Sequence, residues 1–123
     1  MEKFYRVWNK GKYLDLWSVN HTLAGSVIAW PLYKFGVPLI YNFALAMILI
    51  VGWEVYEITH DIKESWQNRS TDILTGVVGF FFISNFVIRW NHATQYWVYF
   101  TILIVWLVLE IWGYLAYTIG KVR

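Results

Sequence analysis

The sequence predicts an all-α polytopic membrane protein: a four-transmembrane-helix bundle forming a single membrane domain over residues 1–123. Three observations carry that expectation. The chain is 59% hydrophobic and 15% charged, whereas charged residues make up about a quarter of a soluble domain. Four apolar stretches approach the ~20 residues with which a helix crosses about 30 Å of hydrocarbon. Most of the nine Trp fall near the ends of those stretches, at the headgroup level where amphipathic rings collect.

The first stretch, residues 14–30, is the most polar and carries Asp15, Ser18, Asn20, His21 and Thr22 in its opening turns. Basic residues precede it, but it has no small-residue cleavage site, His21 interrupts its core and Pro31 follows. It therefore reads as a retained span and not a signal peptide. Residues 4–8 interleave aromatics with Arg6, as a segment on the membrane surface would. Pro31, Gly36 and Pro38 punctuate the first connection. The second stretch covers residues 39–58. Residues 59–71 after it hold no Gly or Pro, so the second helix is free to continue past the membrane. The third covers 72–90, and the brief connection 91–95 makes it an antiparallel neighbour of the fourth, 96–119. No linker, repeat or low-complexity tract divides the chain.

An even number of spans puts both termini on one side, with Lys3, Arg6, Lys10, Lys12, Lys63, Arg69, Lys121 and Arg123. Lys34 and Arg89 alone fall on the other. That asymmetry places the termini and the 59–71 connection in the cytoplasm, in a prokaryotic cell (inner) membrane. The absence of cysteine excludes disulfides, thiolate zinc sites and cysteine nucleophiles. A net charge of +2 is too small to argue for nucleic acid. Membrane lipids are the expected partners, and a homo-oligomer is compatible with the small size. The glycosylation patterns at Asn20 and Asn68 fall in a span and in the cytoplasm, so neither reads as used.

Threaded this way, all eight carboxylates lie on the cytoplasmic side of the midplane. Ionisable groups in hydrocarbon are costly and usually face a bundle interior, where they do chemistry or move ions. Glu54, Glu57, Asp61 and Glu64 follow three-four spacing, with His60 close to the same face. Crowded carboxylates in a low-dielectric setting either share protons or hold a cation among them. Asp61 and Glu64 read as a solvated face beyond the lipid. Glu54 sits ~6 Å inside, His21 ~9 Å and Glu110 ~13 Å at the helical rise per residue. His21 alone would read as a hydrogen-bonded tie between helices; beside buried glutamates an active role weighs as much.

Asp72 opens the third span ahead of Thr75, Gly76 and Gly79, a small-residue face suited to a tight neighbour. Packed on the second span, that face would bring Asp72 near Glu57. Glu110 needs a partner, and His21 is the ionisable candidate at similar depth. Asn42 and Asn85 could pair across the second and third spans as structure. The expected catalytic set is His21, Glu54, Glu57, Asp72 and Glu110. Glu54, Glu57, His21 and His60 are candidate metal ligands, and Arg69 and Lys12 candidate anchors for a headgroup or phosphate.

His21 in the first span, the Glu54-x-x-Glu57 pair and the Arg69-Ser-x-Asp72 run before a glycine-bearing third span resemble the VanZ-like membrane proteins. The likeness is scattered over residues 15–79. Glu57 stands where a Gln is common in VanZ, and Gly76 where an Asn often follows the Asp. The resemblance implies a site at these residues; its namesake is associated with glycopeptide-antibiotic resistance.

The leading functional expectation is a cytoplasmic-leaflet site that binds or hydrolyses a lipid or isoprenoid phosphate. A carboxylate cluster repels phosphate, so such a substrate calls for a bridging Mg²⁺, Mn²⁺ or Zn²⁺, with a spare glutamate or His21 as base. A small proton-coupled transporter working as a dimer through Glu54 or Glu110 is the alternative. A non-catalytic accessory such as a holin is the third, and it leaves the buried acids and His21 without a role.

Overall fold

The computed structural model describes residues 6–9, 11–60, 62–85 and 87–118. Glu2, Lys3, Phe4, Tyr5, Lys10, Asp61, Ile119, Lys121 and Arg123, all used in the sequence reading, lie outside the described residues. Within them the chain forms four α-helices and no strand: α1 (Leu16–Lys34), α2 (Leu39–Thr59), α3 (Trp66–Asn85) and α4 (His92–Thr118). A 3-10 turn over Val87–Arg89 joins α3 to α4.

Asp15 starts α1 through a capping box. Its carboxylate accepts from the Ser18 amide, and the Ser18 hydroxyl accepts from the Asp15 amide, satisfying donors that a helix start leaves orphaned. The helix runs through Pro31 instead of stopping before it. A proline withholds the hydrogen bond due to the carbonyl four residues earlier, here Val27, and that carbonyl accepts from the Tyr99 hydroxyl at 3.4 Å. The helix then ends at Gly36, whose φ of 79° suits a left-handed cap. Pro38 is the N-cap residue of α2.

The buried residues of α2 are Asn42, Ala46, Ile50, Glu54 and Glu57, a single stripe at three-four spacing. The helix stops at Thr59 and does not extend along the connection. The Thr59 hydroxyl donates to the Tyr56 carbonyl and the Ile62 amide returns to the Glu57 carbonyl, closing the turn. Helix α3 begins six residues before Asp72, because the Ser65 hydroxyl accepts from the Asn68 amide at 3.1 Å and caps it.

Helix α1 packs against the other three, most closely against α3. A Cβ at Gly25 would fall on the Gly76 carbonyl, and one at Gly79 on the Thr22 carbonyl. Small residues at both helices thus let the backbones touch, and the Ser26 hydroxyl donates across to the Gly79 carbonyl at 3.0 Å. Gly76 also faces Ile50 of α2. Helix α4 is buried at its two ends, at Gln95 and Tyr99 and again at Gly113 and Ala116. At one end Trp30 stacks on Tyr99 and donates to Gln95. At the other Trp8 is fully buried beside Trp17 and Trp112. Asn42 donates to the Ala29 carbonyl and Asn85 to the Phe81 carbonyl, so the expected Asn42–Asn85 pair does not form.

Polarity is inverted relative to a soluble bundle. Ser18, Asn20, Ser26, Asn42, Glu54, Glu57, Asn68, Asp72 and Gln95 are buried, while Ile40, Ile48, Leu74, Ile104, Val108 and Ile111 are exposed. Two helices, α2 and α4, are long and apolar enough to cross a membrane.

Candidate functional site

Alternating helix direction brings Asp15 at the start of α1, Glu54 and Glu57 near the end of α2, Asp72 in α3 and Glu110 toward the end of α4 to the same end of the bundle. Buried side chains make one junction there. His21 Nε2 lies 3.2 Å from Glu54 Oε1, and His21 Nδ1 lies 3.9 Å from Asp72 Oδ2. Nδ1 is also 2.7 Å from the Trp17 carbonyl; a carbonyl only accepts, so Nδ1 carries a proton and Nε2 is the nitrogen turned to Glu54. Asp72 is fully buried, and its Oδ1 accepts from the Ser18 hydroxyl at 2.8 Å. One donor atom each from His21, Glu54 and Asp72 lie within 4.8 Å of one another, so this trio has the spacing to hold a cation.

A second acidic group forms around Arg69. Its Nη1 donates to the Glu54 carbonyl at 2.9 Å and reaches Glu54 Oε2 at 3.4 Å. Glu64 lies at 3.7 Å and Glu57 at 4.0 Å from the same nitrogen. Trp53 donates to Glu57 Oε1 at 3.0 Å. Glu54, Glu57 and Glu64 again bring donor atoms within 4.8 Å, but there the Arg69 guanidinium already sits among them as a counter-charge.

Asp72 meets Glu54, one turn away from the expected Glu57, because α3 lays its small-residue face mainly on α1. Glu64 is not a solvated surface residue: the chain turns after α2 and folds its side chain, with no exposed area, against Arg69. His60 does not join the metal-ligand set. It is exposed just past α2, stacked on Tyr56 at 3.9 Å and bonded to the Tyr56 carbonyl. Arg69 pairs with the glutamates and donates to the Ile62 carbonyl. Lys12 is exposed with its ammonium over Tyr13 at 5.3 Å, outside both clusters. Glu110 takes Asn20, not His21, as hydrogen-bond partner.

Beside the junction a cavity of about 510 Å³ runs between α2 and α4 with α1 as its floor. Its walls are largely apolar, from Ala24, Ile28, Leu49, Ile50 and Leu107, with Trp17, Trp53 and Trp106. Asn20, His21 and Glu110 supply its polar atoms. His21 is therefore the residue shared between the groove and the acid cluster. Ser18, Asn20 and Asn68 were not expected at the site. Asn68 donates to Asp15 Oδ2 at 2.8 Å and to the Gly11 carbonyl, tying the segment before α1 to α3. The signal for Ser18 was its position three residues after Asp15 and three before His21, which puts it over both.

The fold and site define a small helical bundle with polar residues inside, apolar residues outside and a buried histidine–carboxylate junction. Comparison with protein-family models, curated proteins and solved structures finds no match.

Proposed function

We propose that this chain is an integral membrane protein that takes a lipid or isoprenoid into the groove between α2 and α4 and handles its polar head at His21. The observation that carries the reading is the groove itself: apolar along its length, with Asn20, His21 and Glu110 as its polar residues. Such a pocket, apolar with a few convergent polar groups, suits a ligand with a long apolar body. In this reading α1 and α3 cross the membrane with α2 and α4, making four spans, since their polar residues face one another. The excess of basic residues at the site end puts that end and both termini in the cytoplasm. A VanZ-like relationship agrees with the positions of His21, Glu54 and Asp72. A phosphate head beside so many carboxylates requires a cation, with Glu110 in the groove wall left to take the proton of the attacking water and return it to the departing lipid alkoxide.

The test is binding. Native mass spectrometry of the detergent-purified chain titrated with a polyprenyl phosphate should show a bound lipid. Ala24→Trp, which fills the groove one helical turn from His21, should abolish it while far-ultraviolet circular dichroism is unchanged. Equal binding by Ala24→Trp would remove the groove as the site. One observation favours a second reading: Glu110 sits in the groove wall with an uncharged partner, where a proton-coupled transporter would place its acid. Loss of proton-driven flux in vesicles on Glu110→Gln would support that reading.

A further inference from the structure

We propose that His21 Nε2, Glu54 Oε1 and Asp72 Oδ2 form a binding site for a divalent cation of the zinc class. The argument lies in which atom of each side chain is already used. His21 Nδ1 is held by the Trp17 carbonyl at 2.7 Å. Asp72 Oδ1 is held by the Ser18 hydroxyl at 2.8 Å. Glu54 Oε2 is held by Arg69 at 3.4 Å. Nε2 is turned to Glu54 Oε1 at 3.2 Å, Asp72 Oδ2 lies against the same imidazole at 3.9 Å from Nδ1, and the three side chains bring one donor atom each within 4.8 Å of one another. Asp72 Oδ2 is buried and has no hydrogen-bond partner among the described residues, and the buried Glu54 Oε1 has His21 Nε2 against it at 3.2 Å.

A buried oxygen without a partner costs about 1–3 kcal/mol, more when charged, so Asp72 Oδ2 beside a second buried carboxylate calls for a positive centre. A tetrahedral ion with bonds of ~2.0–2.2 Å to nitrogen and oxygen spans ligand atoms at about this separation. The outer hydrogen bonds are those that metal-binding histidines and carboxylates generally have: a backbone carbonyl behind the imidazole and a hydroxyl behind the carboxylate. One imidazole with two carboxylates favours zinc or manganese over magnesium and calcium, which take oxygen. Three protein ligands leave a fourth position open. His21, which also lines the groove, puts the ion within reach of a ligand there. That last point rests on the lipid reading above; the ion site does not.

The experiment uses the full chain with any histidine tag removed, purified in detergent, titrated with zinc alone and read by elemental analysis after desalting. One zinc per chain is expected. Ser18→Ala should weaken zinc binding about 10- to 100-fold, His21→Ala and Asp72→Asn should abolish it, and His92→Ala, at the far end of α4, should leave it unchanged. Zinc-free wild-type protein, or full stoichiometry in folded His21→Ala and Asp72→Asn, overturns the site. Where those variants do not fold, cobalt substitution of the wild type decides. The intense visible absorption of tetrahedral cobalt supports the site, and its absence overturns it. Zinc held by protein that takes no lipid leaves the ion site standing and removes the lipid reading. Lipid held by zinc-free protein does the reverse.

Discussion

Alanine placed at Gly79 and at Gly52 should move stability in opposite directions. At Gly79 the new Cβ falls on the Thr22 carbonyl and 3.1 Å from Ser26 Oγ. The obstacle is backbone, which cannot rotate aside, so α1 and α3 must part. Overpacking of this kind costs about 1–3 kcal/mol, and a backbone clash belongs at the upper end. Parting the helices also strains the 3.0 Å bond from Ser26 to the Gly79 carbonyl, worth ~0.6 kcal/mol for an interhelical bond in a membrane. The gain in helix propensity from Gly to Ala returns up to ~1 kcal/mol. The net loss is about 2.6 kcal/mol, roughly 80-fold in the folding equilibrium. Gly52 has nothing within 4 Å of its added Cβ, so Gly52→Ala keeps only the propensity gain and should stabilise the protein by up to ~1 kcal/mol. Reversible unfolding in mixed detergent micelles, followed by circular dichroism, measures both. A Gly79→Ala protein as stable as wild type would refute the close α1–α3 crossing that brings Ser18 to Asp72.

Arg69→Met should destabilise by about 3–5 kcal/mol, the cost of breaking a buried ion pair from one side. Arg69→Lys should recover only part of that in the same unfolding assay, because a single ammonium cannot replace the guanidinium fork among several acceptors. Asn20→Leu should cost about 1–3 kcal/mol by removing the hydrogen-bond donor to Glu110, and the double variant with Glu110→Leu should regain stability. Because the chain has no cysteine, single cysteines at positions 34 and 92 report sidedness without background. Both should react with an impermeant thiol reagent from outside intact cells, and both should be protected if the orientation is reversed.

The helical class and the number of helices were legible because long apolar runs are strong signals. Helix ends were less so. Pro31 marked a boundary in the sequence, yet a distant hydroxyl on Tyr99 satisfies the carbonyl it orphans, and no local pattern reports that. The start of α3 was written in Ser65, a capping residue, but the absence of Gly and Pro from residues 59–71 favoured a longer α2. Within the site, His21 and Glu54 were visible as ionisable groups of similar depth, and Asp72 as the acid opening the third span. Their exact pairing was not, since it depends on which helix receives the Gly76 and Gly79 face. That face could suit α1 or α2 equally by composition, and the choice of α1 moved Asp72 from Glu57 to Glu54. The turn after Thr59 likewise converted Glu64 from a surface acid into a partner of Arg69.

A crystallographic map of the protein grown from a lipidic phase, without prior delipidation, tests the central claim most directly. The account predicts continuous elongated density along the groove between α2 and α4, with its polar end at Asn20, His21 and Glu110. A groove closed by direct packing of Trp53 on Trp106, with no room for a chain, would contradict it.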